Sequence, residues 1–259
     1  VDNAPFRAAL SRAGITPLTV FRAERSSSTL GAYVELHIEQ GERLARTQTQ
    51  IGIVTGIVGR TTYRLTFLGQ AGHSGTTDMY RRRDALRGAA HFIVRAHDVV
   101  RERYGDSVFN VGAVDVKPGT FNIIPSEVSL LFECRHVNER LMAEMEMAVI
   151  QIARECSAAH ALEIKIEQMT HMSAAEMSGD VLSVIGEVCD SLGLSSTRLV
   201  SYAGHDGQIL SRVTPSGMIF IPSIGGISHN PKEFTPWEDV VNGANVLLHT
   251  VIALAGRAG

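Results

Sequence analysis

The sequence predicts an α/β fold into which a βαββαβ sandwich is inserted, and three observations carry this. Segments alternating apolar and polar residues lie beside segments with apolar residues at helical spacing. The central block orders them strand, helix, strand, strand, helix, strand. Mixed blocks of strand and helix flank it on both sides. At 259 residues, the chain is long enough for one large domain or two smaller ones. Its 44% hydrophobic and 20% charged content is that of an ordinary globular protein.

Residues 1–14 read as a short helix closed by Gly14, followed by an irregular linker to about residue 31. VELHIEQG (34–41) then alternates Val34, Leu36 and Ile38 with Glu35, His37 and Glu39. A core strand gains nothing from an acid–His–acid row, whereas a metal or acid–base site does. A satisfied ion pair is the plainer alternative. IGIVTGIVG (51–59) is a second strand.

The inserted block opens with the strand TYRLTFLGQ (62–70). Asp84 to Tyr104 reads as a helix with Leu86, Ala90, Ile93, Ala96 or His97, and Val100 inward. FNVGAVDVKPG (109–119) and SEVSLLFECRH (126–136) are strands joined through a turn. Asn138 is placed to cap a helix with Leu141, Met145, Ala148, Ile152 and Cys156 inside. LEIKIEQM (162–169) closes a ferredoxin-like sandwich over residues 61–171, between outer segments 1–60 and 172–259. In the last segment Asp180 is expected to cap a helix ended by Gly193. GMIFIPS (217–223) is a buried strand, and Thr235-Pro236-Trp237-Glu238 is a capping box opening a terminal helix. The outer segments supply about three convincing strands, fewer than a doubly wound sheet usually has.

A net charge of -3 argues against nucleic acid or an anionic membrane as partner, and the longest apolar stretches are interrupted by Gly, Asn or charge. Cys134, Cys156 and Cys189 lack metal or redox spacing, which fits a reducing cytoplasm. The chain begins with Val1 and shows no basic-then-apolar signal segment, so a processed or truncated product is expected.

Three Gly-rich loops carry histidines: AGHSGTT (71–77), SYAGHDG (201–207) and GGISHNPKE (225–233). Loops at strand ends are where sites are built, although a lone His in such a loop is more often a turn residue. His91, His97, His136, His160, His171 and His249 lack convergent partners and read as structural. Arg135, closing FECRH, can fork onto a carboxylate or form a rim salt bridge. Asn122 is most simply a turn residue, and Arg81–Arg83 a solvated helix entrance. G-x-S-x-G, HExxH and G-x-G-x-x-G are all absent.

Taken together, ELHIEQG, IGIVTGIVG, FLGQAGHSGTT with RRRDAL, FNIIPSEV with ECRH, GHD and GGISHNPKE resemble one family in one order. It is the hydantoinase/carbamoylase branch of the M20 metallo-amidohydrolases, which act on N-carbamoyl-L-amino acids, allantoate and β-ureidopropionate. The resemblance runs from about residue 30 to the C-terminus. It implies an α/β catalytic domain with two divalent metal ions, zinc or manganese, and a ferredoxin-like lid that forms a homodimer. By matching motif, His37 and His229 would each bind one metal. Gln40, His205, Asn122 and Arg135 would contact substrate, Arg135 through its carboxylate. His73 would act as a catalytic contact from the partner subunit, adding a hydrogen bond to the oxyanion. Asp78 stands where related sequences tend to carry Pro, a charge that would raise the basicity of His73.

The family's other ligands, a His, a bridging Asp and an acidic pair with the general base, come earlier in the chain. No such motif precedes His37 here. The resemblance therefore implies the C-terminal part of an enzyme, inactive alone. An M20 aminoacylase or peptidase is the alternative enzyme, and a non-catalytic dimerisation module the alternative class.

Overall fold

Two sheets, each with its own apolar core, organise the chain in a computed structural model that describes residues 4–257. Helix α1 (Ala4–Arg12) runs to Gly14, whose φ of 71° suits a residue without Cβ. Residues 1–3 of the predicted helix lie outside the described residues. The expected linker holds a further helix, α2 (Pro17–Arg22), because Thr16 and Thr19 cap one another's backbone N–H and Pro17 opens the first turn. Then follow β1 (Tyr33–Ile38), the short α3 (Arg43–Thr47) and β2 (Ile51–Ile57).

The lid comprises β3 (Gly59–Leu68), α4 (Ala85–Arg103), β4 (Val108–Lys117), β5 (Glu127–His136), α5 (Glu139–Ala159) and β6 (Glu163–Met172). Its strands lie in the antiparallel order β4-β5-β3-β6, as a ferredoxin-like sandwich requires. Both helices cover one face. Asn138 caps α5, as expected, and Asp84 caps α4. The buried faces include Ala96 and Val100 of α4 and Met145, Ile152 and Cys156 of α5, as predicted, but differ from the predicted faces elsewhere by about one residue. In α4 they are Ala85, Gly88, Ala89, Phe92, Ala96 and Val100, with Leu86 exposed. In α5 Met142 and Val149 take the places expected for Leu141 and Ala148.

The remaining elements are β7 (Ala175–Glu176), α6 (Gly179–Ser191), β8 (Ser196–Ser201), α7 (Gly207–Leu210), β9 (Ser216–Ile221) and α8 (Trp237–Arg257). They complete a sheet of five strands, where about three were expected. β1 runs parallel to β9, β9 antiparallel to β2, and β2 parallel to β8, while β7 adds a short antiparallel bridge to β2. Helices α6 and α8 pack on the face of Leu36, Gly217 and Ile221; α7 packs on the face of Glu35 and Met218. Ser178, not Asp180, precedes α6, and Asp180 sits in its first turn. The Thr235 hydroxyl donates to the Pro222 carbonyl at 2.9 Å, where a cap was expected.

By length and composition α8 could cross a membrane, contrary to the sequence reading. It packs against α6, β1 and β9, and its outer face leaves Val241, Leu248, Val251 and Ile252 exposed.

The chain passes between the sheets twice, around Val58 and around Ser173. The buried Gln208 amide donates to both crossings, to Val58 O at 3.0 Å and Ser173 O at 2.9 Å.

Candidate functional site

Strand alternation turns Glu35 and His37 to the face opposite α8, and the loop after β8 folds across it. His205 meets His37 edge-on there, with ring centroids 4.7 Å apart, and lies 5.5 Å from the Phe220 ring. The His205 side chain is 1% exposed, with Nε2 2.7 Å from Ser201 Oγ and Nδ1 3.8 Å from Glu35 Oε1. Burial, reinforced by His37, pushes His205 down to about 4, so its ring is neutral near neutral pH.

The acids beside His37 are engaged elsewhere. Glu35 Oε2 accepts the Gly207 N–H at 2.8 Å and the Tyr33 hydroxyl at 3.3 Å, fastening the His205 loop to β1. Burial and then Glu35 raise Tyr33 to about 12. Glu39 accepts N–H from Arg43 at 2.9 Å and Leu44 at 2.8 Å, closing the start of α3. His37 itself places Nδ1 2.8 Å from Ile38 O, which assigns its proton to Nδ1 and leaves the Nε2 lone pair for a ligand.

Gln40 and His229 approach from neighbouring strand ends, both at positive φ (57° and 55°). Gln40 Nε2 donates to Ser228 Oγ at 2.9 Å and stands 3.5 Å from His229 Nε2. Glu233 accepts the His229 N–H at 3.0 Å. Hydrogen bonds from Ser228 and the His229 N–H hold its carboxyl below the usual range, against the opposing effect of burial.

Arg135 reaches this region from the lid. Nη1 donates to Tyr202 O at 2.7 Å, Nη2 to Glu133 at 3.0 Å, and the buried Nε has no partner. A cleft of about 410 Å³ is lined by Gln40, Arg43, Arg135, Tyr202 and Phe220, among others.

His73 and Asn122 lie elsewhere. Ser74 N–H donates to Asn122 O at 3.1 Å, and His73 bridges to Ile123, beyond the Leu68 end of β3. Arg60, opposite Arg135, marks the other end, roughly 26 Å away at the usual rise per residue. Within one chain the expected set is therefore split into two groups. Asp78 accepts the Tyr80 N–H at 2.8 Å, capping a turn. Sequence reasoning missed Ser201, Ser228, Tyr33, Glu233 and Gln208. Only the spacing of Ser201 four residues before His205 offered a signal.

His37 and His229 each offer a nitrogen to a metal. Among the described residues, however, no three His, Cys, Asp or Glu side chains are grouped to hold one. Catalytic zinc takes three protein ligands, so these residues alone do not complete a two-metal centre.

A parallel-antiparallel α/β sheet, a ferredoxin-like lid and a cleft lined by Gln40 and Arg135 define a lidded α/β scaffold. Residues 11–253 match the peptidase family M20/M25/M40, and the chain belongs to that family. It is 36% identical to the N-carbamoyl-L-amino acid amidohydrolase of Geobacillus stearothermophilus over 247 residues, covering 95% of this chain and 60% of that protein. The allantoate amidohydrolase of Escherichia coli (strain K12) is 32% identical over 224 residues, covering 86% of this chain and 54% of that protein. A hydantoinase/carbamoylase family amidase from Burkholderia multivorans superposes with a TM-score of 0.82 at 35% identity, covering 86% of this chain and 55% of that one. The chain thus spans about 60% of the length of the first of these relatives.

Proposed function

We propose that the chain forms part of a metal-dependent amidohydrolase that cleaves the ureido C–N bond of N-carbamoyl-L-amino acids or allantoate. The observation that carries this reading is the gathering of His37 against His205 and of Gln40 against His229 at the ends of neighbouring strands, with Arg135 of the lid tied to the His205 loop through Tyr202 O. His37 and His229 would supply one imidazole to each of two divalent ions, zinc or manganese. The remaining ligands and the general base would come from a segment that this chain does not span. Bound metal supplies an activated water and charge stabilisation in such enzymes.

The chain's own residues bind and orient. Gln40 and His205 face the reacting group, and Arg135 stands at the carboxylate end. His73 and Asn122 lie beyond the far end of β3, a strand spanning roughly 26 Å from Arg60 to Leu68, so a second copy joined through the lid would bring them to the site. His73 then donates to the oxyanion. Three buried free cysteines fit a cytoplasmic setting.

The test is metal analysis and ammonia release, on the purified chain and after co-expression with the segment that the relatives add. Substoichiometric metal and no turnover are expected alone, and two metals per protomer with turnover on complementation. His37→Ala or His229→Ala should abolish that recovery. Two tightly bound metals with turnover in the chain alone overturn the division of the site. The incomplete ligand set favours one other reading, a non-catalytic dimerisation module. It prevails if the complemented protein dimerises but releases no ammonia. Turnover of N-acetyl amino acids or dipeptides alone would mark an aminoacylase or peptidase.

A further inference from the structure

Gly75 N–H donates to His73 Nδ1 at 3.1 Å, closing a turn on the amide two residues further along. Asn and Asp side chains make such turns more often. A backbone N–H can only donate, so Nδ1 is the acceptor and the neutral ring carries its proton on Nε2. The ring lies close against the glycine: a Cβ on Gly75 would stand 3.3 Å from His73 Cε1 and 3.5 Å from Nδ1. His73 is exposed, and its Nε2 forms no hydrogen bond among the described residues.

Arg82 grips the same loop from outside. Its Nε and Nη2 donate to Thr77 O at 3.2 and 3.0 Å, and Nη2 donates also to Ser74 O. Thr77 N–H in turn donates to His73 O at 3.1 Å, and Ser74 N–H to Asn122 O at 3.1 Å. Ser74 and Thr77 are half-buried, so their carbonyls need partners, and one guanidinium supplies them. Arg82 is half-buried too and forms no ion pair among the described residues. Of the three arginines expected to form a solvated helix entrance, only Arg81 is exposed; Arg83 donates to Ala161 O at 2.8 Å.

We propose that Arg82 is a positioning residue for His73, holding residues 74–77 so that Gly75 N–H occupies Nδ1 and Nε2–H is the proton presented. A planar guanidinium serves two carbonyls in fixed directions, which an ammonium does not. The proposal rests on the ureido-hydrolase reading for what Nε2–H meets, the oxyanion. The tautomer and the clamp belong to this chain alone.

The test starts with the purified full chain labelled with nitrogen-15 in histidine. Long-range proton–nitrogen correlations distinguish protonated from unprotonated ring nitrogens, and His73→Gln identifies the His73 signals. At a pH of about 8, where an ordinary imidazole is neutral, His73 should show the Nε2–H form alone. Arg82→Gln should bring in a measurable share of the Nδ1–H form and quicken amide exchange at Ser74 and Gly75. In the complemented enzyme, Arg82→Gln should lower kcat about 10- to 100-fold with KM little changed, the cost of a catalytic group misplaced by about 1 Å. Combined with His73→Gln it should cost nothing further, because a residue acting through another has no effect once that other is gone. Guanidinium ion should restore part of the rate of Arg82→Ala. An Nδ1–H ring in the unaltered chain, an unchanged tautomer in Arg82→Gln, or additive losses in the double variant would overturn the assignment. Should Arg82→Gln fail to fold, Arg82→Lys keeps the charge, lacks the fork and carries the same comparisons. Failure of the hydrolase reading looks different: the tautomer and its response to Arg82→Gln persist while the complemented protein releases no ammonia.

Discussion

The guanidinium of Arg135 on β5 donates to the carbonyl oxygen of Tyr202 at 2.7 Å, tying the lid to the loop that carries His205. Arg135→Lys therefore weakens a structural tie as well as the proposed ligand contact, since an ammonium lacks the planar fork that spans Tyr202 and Glu133. Urea unfolding should show a loss of about 1–3 kcal/mol. In the complemented enzyme KM should rise with metal content unchanged. An unchanged unfolding midpoint would reduce this tie to a passive contact.

Gln208 offers a sharper test of how the two sheets are joined. Its side-chain amide, in a residue 1% exposed, serves Val58 O and Ser173 O at the two crossings. Gln208→Leu keeps most of the volume but strands two carbonyls, at a cost of about 1–3 kcal/mol for each buried group left unsatisfied. Hydrogen exchange should accelerate around residues 58–60 and 172–175 before it changes in α4. Protection that stays uniform would show that the crossings do not depend on this amide.

On the lid, His91 Nδ1 lies 3.3 Å from His160 Nε2. Burial first, then Arg87 and His91, lower His160 below its ordinary 6.5, while Asp84 opposes the shift. Between the folded and unfolded values the unfolded chain holds the extra proton, so stability rises with pH. The contribution is complete above about 6.5 and is lost as the pH falls through the folded value. Melting temperatures measured from pH 7 to 5 should fall with acidity, and His160→Asn should flatten that slope. An identical slope in the variant would acquit the pair.

Separation of His73, beyond the far end of β3, from His37 on β1 permits a mixing experiment. Homodimers of His37→Ala and of His73→Ala, each complemented with the segment of the relatives, should be inactive or severely slowed. Dissociated and reassociated together, they form mixed dimers with one site holding both histidines. Partial recovery of ammonia release is expected. No recovery, with mixed dimers verified by mass, would place His73 outside the reacting centre.

Strand alternation made β1, β3 and β5 legible, because one face of each is apolar. Helix phase was less so. Phe92 turns inward on α4 to lie 6.1 Å from the Phe67 ring, 5.7 Å from Phe132 and 6.2 Å from Phe109, and this cluster sets a rotation that helical spacing leaves open. β8 escaped notice because it begins Ser196-Thr197-Arg198 and owes its order to parallel pairing with β2. His37 stood out within its acidic row, but the roles of Glu35 and Glu39 did not. Their partners are backbone N–H groups at Gly207, Arg43 and Leu44, which carry no side-chain signature. Nor does the order of motifs reveal that Arg135 and His73 occupy opposite ends of one sheet.

Register at the base of the lid bears on how the chain folds. β3 and β6 pair Arg60 with Met172, while Gln50 and Ser195, hydrogen-bonded across the first sheet, are 145 residues apart. Loop closure costs grow with the length of flexible chain enclosed. A lid that assembles first replaces most of that flexible chain with a rigid link whose two ends are already neighbours. Pulse-labelled exchange during refolding should then find β3 and β5 amides protected before those of β2 and β8. The insertion would in that case serve as a kinetic splint, shortening the diffusive search between the halves it interrupts.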